Sequence, residues 1–219
     1  MKKRNFVLRG FNAFTLAEVL ITLVIIGVIG ALTVPSLIQN TQKQEYVTAL
    51  KKAYSVLSQT SQKIIAEEGS AKVDENGESW AKDTNSMYNA FKEHLNYIKA
   101  CDAGNTECDY QMHYFTGQNS HYGNSGYPSL ILADGMRIIF QLTHNTCSGN
   151  DGGVTDYCGH IWADLNGIKG PNKLGRDYFW FILKENGVYP RGTDADGWCA
   201  PGLGYGCTER VLRESAMNY

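Results

Sequence analysis

Several features are scarce or missing in this chain of 219 residues, and each absence narrows what it can do. There is no excess of basic charge: 20 Lys and Arg face 22 Asp and Glu, for a formal net charge of −2. Such a balance offers no basic stripe to track nucleic-acid phosphates, so no nucleic acid is indicated as a partner. No two cysteines form a Cys-x-x-Cys pair, which removes the usual spacing of a zinc site. No Ser/His/Asp constellation, phosphate-cradling glycine loop or metal-ligand cluster emerges. The histidines (His94, His113, His121, His144, His160) form no pattern with a cysteine. An enzyme is therefore the least supported class, and no catalytic residue is expected. Charge is also missing from one long stretch, because among the 25 residues from Phe14 to Ile38 only Glu18 is charged.

That stretch, centred on Phe14-Thr15-Leu16-Ala17-Glu18-Val19-Leu20 and the apolar residues up to Pro35, is the most informative part of the sequence. It exceeds the roughly 20 apolar residues needed to cross a hydrocarbon core. Lys2, Lys3, Arg4 and Arg9 precede it and no acidic residue does. Basic residues on that side place it in the cytoplasm and everything after Gln39 outside. The net charge is −2 and residues 1–13 contribute +4, so the chain from Phe14 onward carries −6. A carboxylate inside an apolar helix is costly and suggests a function. Two plainer readings compete. An ordinary secretory signal has a shorter apolar core and a small-x-small cleavage site after it, whereas Ala31-Leu32-Thr33 lies inside the run. A simple uncleaved anchor would let Glu18 snorkel toward the interface from about one turn inside.

The order of a short basic leader, Phe14, Thr15, Leu16, Glu18, Val19 and Leu20, and then Pro35 resembles the class III signal of type IV prepilins and type II secretion pseudopilins. The resemblance covers about residues 10–38. It implies cleavage by a prepilin peptidase between Ala13 and Phe14, followed by N-methylation of Phe14. The family usually has Gly before the cut, and this chain has Ala13, which is small enough for a similar pocket. Cutting after Gly10 instead would put Glu18 out of its usual register. The resemblance further implies that Glu18 neutralises the Phe14 α-amine of a neighbouring subunit, with Glu18 and Pro35 serving assembly. A buried charge becomes tolerable when it gains a partner and hydrogen bonds. Implied partners are the prepilin peptidase, other pilin or pseudopilin subunits, an inner-membrane assembly platform and membrane lipid. The implied location is single-pass in the inner membrane, with the C-terminal domain outside in a periplasmic or cell-surface filament.

All six cysteines (Cys101, Cys108, Cys147, Cys158, Cys199, Cys207) follow the apolar run. An even number in an exported domain favours disulfides. Six cysteines allow fifteen connectivities, among which sequence does not choose. Pairing of near neighbours, Cys101 with Cys108, Cys147 with Cys158 and Cys199 with Cys207, would close three short loops and is preferred.

Beyond the membrane run, Tyr46, Val47, Leu50, Ala53, Tyr54, Leu57, Ile64 and Ile65 recur mostly at three- and four-residue steps. That is one apolar stripe on an otherwise soluble helix ending near Gly69. Residues 14 to about 67 would thus form one helix of roughly 80 Å, bent or weakened near Pro35 and the Gly27/Gly30 pair. The spacing predicts a loop over 70–83 and a second amphipathic helix over Ser86–Ala100, with Met87, Phe91, Leu95 and Ile98 on one face. An irregular region follows to Tyr127. Ser129–Leu132, Asp134-Gly135 and Met136–Leu142 make a hairpin signal. His160–Asp164 and Tyr178–Leu183 are further strands. The expected fold class is α+β: a long N-terminal helix packed on a small antiparallel sheet, with a disulfide-containing C-terminal region. The resemblance makes this layout pilin-like. The expected divisions are a leader at 1–13, a transmembrane and assembly helix at 14–38, an amphipathic continuation at 39–68 and a globular head at 69–219.

Between two of the strands, residues 164–177 place Asp164, Asn166, Asn172 and Asp177 around three glycines. Calcium takes six to eight oxygens on a tightly curved loop, and this composition offers several. The competing and preferred reading is a connecting loop punctuated by Asn-Gly and Gly-Pro turns. Asp194 and Asp196 in the tail favour a turn over an ion site. Trp80, Trp162, Trp180, Trp198 and Tyr205 would form a contact surface or, more commonly in a small domain, complete the core. Two functional classes result: an assembling filament subunit, or an anchored extracytoplasmic binding or adhesive module displayed through the same signal.

Overall fold

The protein is described here from a computed structural model, which covers residues 15–120, 126–151, 153–192, 199 and 202–219. It divides into two compact units, Met1–Gln42 and Lys43–Tyr219. One helix, α1 (Leu16–Glu68), contributes to both. In the first unit its large apolar side chains, from Leu16 through Leu23, Val24 and Ile26 to Leu37, are exposed. This helix is long and apolar enough to cross a membrane.

In the second unit α1 is amphipathic. Val47, Leu50, Ala53, Leu57, Ser61 and Ile64 are buried at helical spacing, with Tyr46, Tyr54 and Ile65 packed at the margin. The helix ends where Gly69 takes φ +90° and returns its N–H to the Ile65 carbonyl at 2.9 Å. A residue with a Cβ is strained at that dihedral. After a loop, α2 (Thr84–His94) starts at Asp83, whose carboxylate accepts from the Ser86 N–H at 2.8 Å.

Among the described residues seven strands follow: β1 (Tyr97–Cys101), β2 (Ser129–Leu132), β3 (Arg137–Leu142), β4 (Gly149–Asp151), β5 (Val154–Asp164), β6 (Tyr178–Lys184) and β7 (Gly187–Pro190). They form one antiparallel sheet in the order β1-β2-β3-β5-β6-β7, with β4 on β5. A last helix, α3 (Cys207–Glu214), closes the chain. The expected hairpin is present, with Leu130 opposite Ile138. The expected strands at 160–164 and 178–183 are the cores of β5 and β6. The fold is thus α+β, with a long apolar N-terminal helix, a small antiparallel sheet and disulfides.

The sheet is covered on both faces, and its side chains sort by parity. Ile138, Phe140, Ile161, Ala163, Phe179, Phe181 and Leu183 join the α1 and α2 side chains in the main core. Tyr54 of α1 stacks on Phe181 with ring centroids 6.1 Å apart. Their alternates Ile139, Trp162, Tyr178 and Trp180 build a second core with Met112, Tyr114, Leu174 and Tyr205. Trp80, Trp162, Trp180 and Tyr205 are therefore core residues. Trp198 lies outside the described residues.

One predicted element is corrected. The helix expected over Ser86–Ala100 stops at His94, and Tyr97–Cys101 is strand β1. Leu95 already has extended dihedrals, φ −96° and ψ 140°. The backbone beyond it pairs with β2, from Tyr97 opposite Leu132 to Cys101 opposite Ser129. Ile98, expected on the buried helical face, is 68 % exposed at the sheet edge. Pairing with an open strand edge outweighed a helical pattern that runs two apolar residues, Leu95 and Ile98, beyond α2 itself. Strands β4 and β7 and helix α3 are elements that sequence periodicity did not single out.

Candidate functional site

The helix carrying Glu18 begins one residue after Thr15. The Thr15 backbone N–H and hydroxyl each donate to Glu18 Oε2 at 2.9 Å. The Glu18 N–H in turn donates to Thr15 Oγ1 at 3.2 Å. This reciprocal pairing is a capping box, in which the side chains of the N-cap and the third helical residue satisfy each other's backbone donors. Sequence reasoning concentrated on the charge and missed it, although the signal Thr15-Leu16-Ala17-Glu18 was legible. The threonines within the apolar run are also satisfied internally: Thr22 donates to the Val19 carbonyl and Thr33 to the Ile29 carbonyl, each at 2.9 Å. Pro35 lies inside α1 and has no N–H to offer the Ala31 carbonyl. Ala13 and Phe14, the residues of the expected cleavage, lie outside the described residues.

All six cysteines are paired, in the near-neighbour pattern. Cys101–Cys108 joins the end of β1 to a short 3₁₀ turn, and Cys147–Cys158 ties the loop after β3 to β5. Cys199–Cys207 fastens the tail to the start of α3.

The loop from Asp164 to Asp177 does bring Asp164, Asn166, Asn172 and Asp177 together, and its donors are specific. Asp177 Oδ1 accepts from the Lys173 N–H at 2.7 Å and Oδ2 from the Asn172 N–H at 2.9 Å. Asp164 Oδ1 accepts from the Asn166 N–H at 3.3 Å, and its other oxygen takes the Tyr110 hydroxyl. Asn166 Nδ2 donates to the Gly170 carbonyl at 2.9 Å. Each carboxylate oxygen thus already holds a protein donor, as in a side chain that staples a turn. Among the described residues, no group of three or more His, Cys, Asp or Glu side chains could hold a metal ion. Asp194 and Asp196 lie outside the described residues.

Burial perturbs both aspartates. It pushes the Asp164 carboxyl up to about 7, against the opposing effect of the Tyr110 hydroxyl. It raises Asp177 too, opposed by the backbone N–H groups of Lys173 and Asn172. Beside them lies Arg137, whose guanidinium stands over the Tyr110 ring at 4.9 Å and donates from Nε to Ser129 Oγ at 3.1 Å. Sequence reading assigned no role to Arg137 or Tyr110. Arg137 stands in the apolar half of a hairpin, where an inward-facing charge is the one available hint.

A loop crossing fixes this corner of the head. Gly167 takes φ +62°, and a Cβ there would lie 2.7 Å from the Gly135 carbonyl oxygen. The close approach of the β2–β3 turn to the loop after β5 therefore requires glycine at 167. Comparison of the chain with known proteins gave no match to any family model, curated protein or solved structure.

Proposed function

We propose that the chain is a structural subunit, a pilin or pseudopilin, of a type IV pilus-like or type II secretion filament. Prepilin peptidase cuts between Ala13 and Phe14, Phe14 is N-methylated, and the subunit assembles through its N-terminal helix. The observation that carries this reading is the first half of α1: a fully exposed apolar helix whose single charge, Glu18, sits in its first turn. A helix that is apolar all round requires a lipid or protein environment on every side. A filament subunit uses both in turn, lipid before assembly and neighbouring helices after it. The three disulfides fit an oxidising compartment for the head, consistent with the basic leader remaining in the cytoplasm. An inner-membrane assembly platform and other pilin or pseudopilin subunits are the partners this role requires.

The test is the mature N-terminus. Mass spectrometry of the protein from its host should find a chain starting at methylated Phe14, and an unprocessed Met1 or any other start refutes the processing step. Cysteines introduced at Leu16 and Leu20 should then cross-link different subunits in the membrane. A display module anchored as a monomer would give the same processed N-terminus and no cross-link.

A further inference from the structure

A cavity of about 550 Å³ opens in the head beside the stapled loop, between the β2–β3 turn, the 3₁₀ turn at Cys108 and the turn at Gly167. Its volume falls within the range typical of small-molecule sites. Ile131, Leu165 and Ile168 give it apolar walls, and Tyr110, Arg137 and Lys169 supply polar groups.

The charges around it are not balanced. Glu107 and Asp134 are on the lining, but each is already held by a lysine from outside: Lys99 lies 3.0 Å from Glu107 and Lys52 lies 2.7 Å from Asp134. Asp164 spends its two oxygens on Tyr110 and the Asn166 N–H, and among the described residues it forms no ion pair with Arg137. Arg137 is only 2 % exposed and, among the described residues, makes a single hydrogen bond through Nε and leaves Nη1 buried without an acceptor. A desolvated guanidinium N–H with no partner is costly, and a buried charge more so. Lys169, exposed on the rim, has no ion pair among the described residues either. Among the described residues, Arg137 and Lys169 are thus the charged lining groups without an ion pair, one buried and one at the mouth; the buried Asp164 carboxyl acts electrostatically on Arg137, and Asn166 Oδ1 on the lining also lacks a hydrogen-bond partner. A single fork-shaped donor set deep in an apolar-walled site suits a planar monoanion joined to an apolar body.

We propose that this cavity binds a small organic carboxylate, with its oxygens on Arg137 and its apolar body against Ile131, Leu165 and Ile168. This site goes beyond the filament role and stands or falls separately from it, because it lies wholly in the head. Two sources present that chemistry, a free aliphatic acid and the C-terminal residue of a peptide chain.

The experiment uses the full chain in a nonionic detergent, labelled with ¹³C at isoleucine methyls. Ile131 and Ile168 report on the cavity, while Ile138 and Ile161 report on the core. Hexanoate and N-acetyl-leucine are titrated against hexanol, N-acetyl-leucinamide and inorganic phosphate. At least one carboxylate should shift the Ile131 and Ile168 methyls saturably, about tenfold or more tighter than its neutral counterpart. Tighter binding of hexanoate identifies a free acid, and tighter binding of N-acetyl-leucine a chain terminus. Arg137→Met should abolish the shift. Lys169→Ala, at an exposed position, should weaken it by about two- to fivefold. If Arg137→Met does not fold, the Lys169→Ala variant and the wild-type ligand pairs decide. Equal response to acid and neutral analogue, no response to either acid, or phosphate matching the carboxylates overturns the proposal. So does an unchanged titration in a folded Arg137→Met protein.

Discussion

Asp164 should make the head less stable as pH rises through neutrality, the reverse of the usual behaviour of a paired carboxylate. Its side chain is fully buried between β5 and the following loop. Burial moves its carboxyl from an ordinary value of 3.8 to about 7 in the folded state. Between those two values the native protein holds a proton that the unfolded chain has released. Unfolding then releases protons, so the free energy of unfolding falls with increasing pH across the window. The full gap is equivalent to ~4 kcal/mol, of which ~2–3 kcal/mol lies between pH 5 and pH 8. For a domain of this size that is a loss of ~5–10 °C in Tm. Asp177, also raised by burial, acts with the same sign, so the wild-type profile alone does not isolate Asp164. Asp164→Asn does, because an amide has the shape of the protonated acid and does not titrate. Urea unfolding of both proteins in nonionic detergent, followed by the emission of buried Trp162 and Trp180, gives the two profiles. The difference between wild type and variant should narrow from pH 5 upward and shift by ~2–3 kcal/mol in favour of the variant by pH 8. Parallel profiles over that range would show that Asp164 titrates as an ordinary carboxylate, and the burial argument would be refuted.

Leu57, fully buried where α1 meets the sheet, should cost ~2–5 kcal/mol when replaced by alanine, read from the urea midpoint of the same emission signal. Replacing Cys147 and Cys158 together by serine opens a link of sequence separation 11 and should cost ~3 kcal/mol, seen as a lower midpoint that reducing agent does not lower further through that pair.

Where one physical signal dominated, the sequence was legible. The stripe of α1 is read correctly because Val47, Leu50, Ala53, Leu57 and Ile64 face a single core at helical spacing. The β2–β3 hairpin is read correctly because Asp134-Gly135 separates two apolar runs. Tyr178 to Leu183 reads as a strand without alternation, and the structure gives the reason. Phe179 and Phe181 face one core, while Tyr178 and Trp180 face the other. Legibility failed where tertiary pairing decided. Tyr97–Cys101 continues a helical pattern but is drawn into the sheet by the edge of β2. Strand β7 has four residues, one of them proline, and exists because β6 offers it a partner. The candidate loop was found as a composition of Asx and Gly residues, but its chemistry lies in partners distant in sequence. Tyr110 is 54 residues from Asp164, and no local pattern links them.

Glu18 has one observed role and one proposed role, and one substitution distinguishes them. As a side-chain acceptor it completes the capping box with Thr15, a local contribution to the helix start. As an anion it would neutralise the Phe14 α-amine of a neighbouring subunit. Alanine removes both functions, so a defect in Glu18→Ala alone is ambiguous. Glutamine keeps the capping geometry, since the box accepts Glu or Gln at its third helical position, but carries no charge. If charge pairing drives assembly, Glu18→Gln should insert and be processed like wild type yet fail to enter filaments, as Glu18→Ala does. The loss of capping in Glu18→Ala is local to the helix end and would fray the first turn without expelling the helix from the membrane. The amount of each variant in sheared filament fractions, normalised to its membrane-inserted amount, measures the outcome. Wild-type incorporation of Glu18→Gln beside a defective Glu18→Ala would assign the carboxylate to the capping box, and the charge-pairing account of assembly would be wrong.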